Sequence, residues 1–307
     1  MGYKYNKCVC GFNDIVMKVL TVKPIPVPAK WKHPPPPNDA LPKHEFTMGL
    51  IAPKGAGKTT VICNLLNFYK GYFHNILVFS PTVASDEKWD WVKEQKLLAQ
   101  NRPLIDFVNK QKKKEMNGIV EEIDVASEFD GLVDAYDPEF DGKITEESFL
   151  ANYDESTLQE IMDEQMKVVK LLKKHKKSKH LANRILIIFD DLVGSSLFSG
   201  SRNNPFKKLN TTHRHYSCSM LMVSQGYKEI PKTVRTNWSC LLIFEIPNDK
   251  EIEVIYEEFP MGLKKDQWMQ VYEYAVGGDH DFFFMNYQKE KRLRMMKNFD
   301  EVVFYDT

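Results

Sequence analysis

The run Ala52-Pro53-Lys54-Gly55-Ala56-Gly57-Lys58-Thr59-Thr60 has the residue types and spacing of a phosphate-binding loop. Gly55 and Gly57 let the backbone curl so that its N–H groups converge on phosphate oxygens. Lys58 is placed to reach β- and γ-phosphates, and the Thr59 hydroxyl to ligate Mg²⁺. Pro53, Lys54, Gly55, Ala56, Gly57, Lys58, Thr59 and Thr60 are thus the candidate nucleotide-binding residues, with ATP and Mg²⁺ as the ligands they imply. A second run, Arg184-Ile185-Leu186-Ile187-Ile188-Phe189-Asp190-Asp191, is apolar and ends in two carboxylates. Asp190 is the candidate Mg²⁺ ligand beside Thr59, and Asp191 the candidate base for an attacking water. Gln225, at the end of the apolar run 217–224, is a candidate sensor of the γ-phosphate or else a solvent-facing strand terminus. Arg235 is a candidate for reaching a neighbouring subunit's nucleotide, and Arg214 is its rival. A surface salt bridge is the bland alternative for either arginine.

Such residues act only when secondary structure aims them. The loop needs a strand before it and a helix after it. Residues 46–51 read as a buried strand, and residues 61–69 carry apolar side chains at helical spacing. The helix N-terminus adds partial positive charge where the phosphates would sit. Residues 75–80 predict a second strand, closed by Pro81-Thr82. The run 184–191 is apolar without alternation, as parallel strands buried on both faces are. Its C-terminal end delivers carboxylates to the mouth of the sheet, where ligands bind in open α/β folds. Further strands are predicted at 217–224 and 240–245, and helices from Asn204, over 249–259 and over 266–274. The segments 282–287 and 302–305 predict a C-terminal β-pair within 280–307. Between them lies the basic run Lys289, Lys291, Arg292, Arg294 and Lys297, which reads equally as a DNA-facing surface or a soluble turn.

The chain has 307 residues, 43% hydrophobic and 27% charged, with formal net charge zero. That allows a sizeable core in a soluble globular protein. It does not announce a nucleic-acid partner by global charge, so any basic surface must be local. Five cysteines without framework spacing favour a reducing compartment. Cys8-Val9-Cys10 lacks a second pair at zinc spacing. No apolar run is long enough to span a bilayer.

Residues 1–42 read as an N-terminal arm with a proline-rich linker, and 43–307 as one domain. A strand is predicted at 15–20; the prolines that follow enforce an extended path, either a stiff arm or a ligand for a partner domain. Residues 86–180 read as a helical, charged insertion. Lys143 is its only basic residue from Glu115 to Glu164, and lysines crowd 167–179. The lysine run reads equally as a solvated helix face or a DNA-phosphate contact. One long helix is predicted from Ser156 through Leu172. Residues 137–148 imitate a calcium loop, but position twelve is Ser148 rather than Glu, so an acidic turn is the better account.

The blocks Pro53 to Thr59, Val78-Phe79-Ser80-Pro81-Thr82, Ile187 to Asp191, Arg214-His215-Tyr216, Gln225, Ile230-Pro231 and Arg235-Thr236-Asn237 occur in this order. In that order they resemble the poxvirus-type genome-packaging ATPases of large DNA viruses, virophages and Maverick-type elements, in the FtsK–HerA superfamily. The resemblance covers about 43–245 without the insertion. It implies a RecA-like (ASCE) α/β P-loop NTPase with a mainly parallel central sheet. It implies an ATP-driven motor that moves double-stranded DNA into a preformed capsid as a homo-oligomeric ring. Capsid or procapsid vertex proteins would be partners, and the host-cell cytoplasm or the virion the location. Lys58 and Thr59 would hold nucleotide and Mg²⁺, Asp190 and Asp191 serve metal and water, Gln225 sense the γ-phosphate, and Arg235 act in trans. The departures are Ala52, Asp191 in place of the usual Glu, and the insertion. A DNA helicase or conjugation-type pump, and a nucleotide-gated scaffold with little turnover, are the alternative readings.

Overall fold

A computed structural model describes residues 32–100, 137–174, 176–198 and 204–305. The predicted strand at 15–20 and Cys8-Val9-Cys10 lie outside the described residues. The compact unit is His33–Thr307. Its described residues build one nine-stranded sheet.

Chain order gives β1 (Thr47–Ile51), α1 (Lys58–Phe68), β2 (Asn75–Phe79), α2 (Glu87–Glu94), β3 (Phe149–Leu150), α3 (Glu155–Lys174) and β4 (Ile185–Asp190). Then come α4 (Pro205–Thr212), β5 (Cys218–Ser224), α5 (Lys232–Arg235), β6 (Cys240–Ile243), α6 (Asp249–Glu258), α7 (Lys265–Ala275), β7 (Phe283–Asn286), β8 (Met295–Lys297) and β9 (Glu301–Val302). The strand order is β3-β2-β4-β5-β1-β6-β7-β8-β9. Strands β3 to β6 in this order run parallel, and β7, β8 and β9 join antiparallel. The fold is therefore the α/β, mainly parallel one that the sequence predicts.

The central strands are uniformly apolar because both faces are covered. All residues of β1, β4, β5 and β6 are buried. Ile187 and Phe189 belong to one core layer, Leu186 and Ile188 to the other. The first layer is closed by Leu158 and Met162 of α3 and by Phe206 and Leu209 of α4. The second is closed by Ile62, Leu65 and Leu66 of α1 and by Trp89 and Val92 of α2. In β1 the sheet passes so close to Trp238 that a Cβ on Gly49 would lie 2.4 Å from its ring.

The described part of the charged segment 86–180 is integrated into this core. It supplies α2, the edge strand β3 and the core-facing α3. In α3, Gln165 Nε2 donates to the carbonyls of Asn183 and Tyr216, which ties the helix to the starts of β4 and β5. The acidic stretch at 137–143 folds on itself: Asp137 accepts from the Glu139 N–H and Asp141 from the Lys143 N–H. Those are Asx turns, the expected acidic account. At the C-terminus the structure differs from expectation. The partner of β7 is β8, with two buried methionines inside the basic run, and the predicted second segment 302–305 holds only Val302 of the short β9. Two apolar residues between charged neighbours are too short a pattern to read as a strand.

Candidate active site

The loop joins β1 to α1. Gly55 has φ 84° and Gly57, the N-cap of α1, has φ 102°. Both angles lie in the left-handed region that a side chain resists. A Cβ on Gly55 would meet nothing within 4 Å, so the loop opens onto free space. Helix α1 has no side-chain cap and no acidic residue in its first turn. By contrast, α2 and α6 are capped by Asp86 and Asn248. The first N–H groups of an α-helix have no intrahelical acceptor, so the positive end of α1 is left for an external anion. Ala52 is accommodated without strain: its N–H bonds to the Ser224 carbonyl, and its side chain is buried.

The sheet order brings the carboxylates to this loop. One strand, β5, separates β1 from β4, and Gln225 follows directly on its last residue, Ser224. Lys58 Nζ lies 3.4 Å from Asp191 Oδ2. Gln225 Nε2 donates to the same oxygen at 2.8 Å. Lys58, Asp191 and Gln225, far apart in sequence, thus meet on one carboxylate oxygen. Asp191 is held at φ 53°, a conformation that costs a non-glycine residue about 1–3 kcal/mol and gathers at functional sites. Its N–H bonds to the Val223 carbonyl.

Asp190 is 4% exposed and accepts a 2.7 Å hydrogen bond from Ser80 Oγ. Burial pushes its carboxyl above the ordinary range; the Ser80 bond and the Lys58 charge oppose that, and the Asp191 charge adds to it. A partly desolvated carboxylate and a threonine hydroxyl are hard-oxygen ligands of the kind that suit Mg²⁺. Thr59 stands in the first turn of α1 and Asp190 at the end of β4, so these two fit the ion.

This site carries a stability cost. The folded chain holds the Asp190 proton more tightly than the unfolded chain does. The carboxyl therefore favours folding below its unfolded pKa, and the benefit is lost as pH rises through the raised folded value. Asp190→Asn is expected to raise the thermal midpoint of the nucleotide-free chain by about 2 °C at pH 7, with the gain shrinking towards acid pH. Differential scanning fluorimetry across pH checks this.

Two positioning residues were not assigned from the sequence. Ser80 holds Asp190, and Ser80 Oγ is itself 3.0 Å from Thr82 Oγ1, which accepts from Trp89 Nε1. The register of β2 against β4 places Phe79 opposite Phe189 and so Ser80 beside Asp190. Glu229 accepts from Ser224 Oγ at 2.7 Å and from the Gly226 N–H at 3.0 Å, which fixes the turn that carries Gln225. His280, at φ 63°, has Nδ1 3.1 Å from the Ala56 carbonyl. It borders a cleft of about 420 Å³ beside the loop, with Phe244, Pro247 and Val276 on its walls.

The two arginines fare differently. Arg235, the candidate for reaching a neighbour, is turned into the chain's own core. It is 6% exposed, with Nη2 2.8 Å and Nε 3.1 Å from the two Glu258 oxygens. Nη1 donates to the Tyr227 and Ile230 carbonyls, and the guanidinium lies 4.3 Å from the Tyr227 ring centroid. These bonds commit the fork to the chain's own core. Arg214 is exposed, ahead of β5 at the end of the sheet away from the loop.

Comparison with known proteins adds three results. Residues 132–276, slightly under half of the chain, match the model of the family described as Poxvirus A32 protein. That span contains Asp190, Asp191 and Gln225 but not the phosphate loop. A search of curated proteins by sequence gives no match. Among solved structures, the genome packaging NTPase B204 from Sulfolobus turreted icosahedral virus 2 in complex with AMP is 9% identical, with TM-score 0.44, over 82% of this chain and 96% of that one. The pCW3 conjugation coupling protein TcpA is 12% identical, with TM-score 0.43, over 79% of this chain and 58% of that one. The Type VII secretion ATPase EccC from Thermomonospora curvata is 11% identical, with TM-score 0.39, over 82% and 25%. Among the described residues, no helix is long and apolar enough to cross a membrane. The chain is thus similar over residues 132–276 to the family described as Poxvirus A32 protein, and its glycine loop, paired carboxylates and mainly parallel sheet have the form of a P-loop nucleotide site.

Proposed function

We propose that the chain is an ATP-driven DNA-packaging motor, which hydrolyses ATP at the β1–α1 loop and moves double-stranded DNA into a preformed capsid. The observation that carries the hydrolytic part is the meeting of Lys58, Gln225 and Asp191 on one carboxylate oxygen. The packaging part is supported by the family match and by the order of sequence blocks.

In this reading the loop amides and the end of α1 take the β- and γ-phosphates. Lys58 leaves Asp191 for the phosphate oxygens, where its charge counts most in a site with little water. Gln225 and Asp191 then hold the attacking water, with the Asp191 carboxylate accepting its proton. Thr59 and Asp190 would hold Mg²⁺, which would supply charge neutralisation to the phosphates. Ser80 keeps the Asp190 carboxylate in one orientation. The cleft by His280 and Phe244 takes the base. Most of the rate gain comes from positioning and preorganised charge. A homo-oligomeric ring, a capsid-vertex partner and a site of action in the host cytoplasm or virion belong to the same proposal. With Arg235 committed to Glu258, the trans arginine falls to Arg214, whose exposure leaves it free to meet a second subunit.

A triplex-displacement assay tests the motor. Translocation along double-stranded DNA strips a third strand from a duplex track in an ATP-dependent manner and leaves a forked duplex paired. Unwinding of the fork would instead establish a helicase. ATP binding without either activity, in the presence of capsid components, would establish a scaffold.

A further inference from the structure

At the end of the sheet away from the β1–α1 loop, a second cluster of chemistry-bearing residues lies where the parallel strands begin. Glu45 stands two residues before β1, His180 five residues before β4, and His33 arrives from the segment that leads into β1. One ligand atom from each of the three lies within 4.8 Å of the others. His33 Nε2 is 3.3 Å from Glu45 Oε1, and the His33 and His180 rings are 4.1 Å apart, near perpendicular. The side chains of His33 and Glu45 are 10% and 13% exposed. Among the described residues, His33 Nδ1 has no hydrogen-bond partner although it is buried.

We propose that His33, Glu45 and His180 bind a divalent transition-metal ion of zinc's class. Two imidazoles and one carboxylate are a donor set such ions take. Zinc ligands at about 2.0–2.2 Å from the metal stand roughly 3.3 Å apart in a tetrahedron. The His33–Glu45 pair already has that spacing, so small side-chain rotations close the rest. Two other nearby histidines stand outside the cluster and are held by other bonds. His44 uses Nδ1 on Ser219 Oγ and Nε2 on Ser217 Oγ, and His213 uses Nε2 on the Glu45 carbonyl. The His213 bond also fixes the backbone of Glu45, which sits at φ 67°. Burial, with the neighbouring His33, pushes His180 down to about 4, so it is a neutral ligand near pH 7. Burial alone would raise Glu45, but bonds from His33 and Lys179 outweigh it and keep the group a carboxylate.

Lys179 Nζ is 2.7 Å from Glu45 Oε1 and 2.7 Å from the Arg214 carbonyl. Lys179 and His33 share Glu45 Oε1 here; in the metal-bound form that oxygen ligates the ion and Lys179 moves to Oε2, as outer-shell partners of ligands do. The ion then clasps the segment at His33 to the starts of β1 and β4. It leaves a fourth position for water or for a group from another chain.

The test uses the full chain without a metal-binding tag, stripped with chelator and titrated with Zn²⁺ against a chromogenic competitor. The expected result is a single ion per chain, a raised thermal midpoint, and a Co²⁺ spectrum without thiolate charge-transfer bands. His33→Ala and Glu45→Gln each weaken binding at least about tenfold, while Lys179→Met does not. Retained nucleotide binding shows that a variant is folded, and His33→Gln replaces His33→Ala if that variant is not. Three results overturn the proposal: a native chain that binds nucleotide but takes up no zinc, unchanged affinity in the His33 and Glu45 variants, or thiolate bands that place the ion on cysteines.

Discussion

Asp191→Asn is expected to lower the turnover number for ATP by about 10²–10⁴-fold, the usual worth of a positioned general base, with nucleotide affinity little changed. The reasoning is geometric. The Asp191 oxygen that Gln225 contacts at 2.8 Å also faces Lys58 at 3.4 Å. An asparagine keeps an oxygen for Gln225 but offers no proton acceptor. It also removes the anion that holds Lys58 when no phosphate is bound, so affinity is expected to hold or rise slightly. Single-turnover hydrolysis and equilibrium nucleotide binding separate the two effects. Loss of affinity with unchanged turnover would place Asp191 outside the chemistry. The same result would leave Gln225 as the sole residue on the water.

Arg235→Ala is expected to cost about 3–5 kcal/mol of stability, because it leaves Glu258 half-buried and unpaired. Arg235 is bound at both ends of its fork, and Tyr227 donates to Glu258 Oε2 at 2.6 Å in the same network. The effect reaches α6, which carries Glu258, and the turn that carries Gln225. The readout is denaturant unfolding in the absence of nucleotide. A trans arginine predicts the opposite pattern: normal unfolding, normal nucleotide binding and a collapse of turnover in the assembled ring. The double variant Arg235→Met with Glu258→Leu removes both charges and is expected to recover most of the lost stability. Arg214→Ala, an exposed position, is expected to leave unfolding unchanged, so the two arginines are distinguished by one pair of experiments.

The sequence disclosed those parts of the molecule whose physics is local. A glycine loop between an apolar strand and a helix is legible because phosphate binding demands that order; β1 ends at Ile51 as predicted, and α1 begins at Lys58, three residues before the apolar pattern read at 61–69. The buried strands were legible because parallel strands covered on both faces cannot afford polar residues, as in Ile185–Asp190. The contents of the site that depend on strand order were not. Ser80 meets Asp190 only because β2 lies beside β4. Arg235 finds Glu258 twenty-three positions later on α6, and no pattern near Arg235 announces that pairing. The strand β8 was hidden because Met295 and Met296 are two buried residues within a cationic run. The histidine cluster was invisible for the same reason: its members lie at 33, 45 and 180 and meet only through the fold.

The central claim is that the β1–α1 loop hydrolyses ATP in the service of moving duplex DNA. The most direct test is steady-state ATP turnover by the native chain, with and without double-stranded DNA, at fixed magnesium and low salt. The account predicts turnover that duplex DNA stimulates and that salt suppresses, since phosphate contacts are screened by ions. Turnover indifferent to DNA at every salt concentration would contradict it and leave a phosphohydrolase with some other work to do.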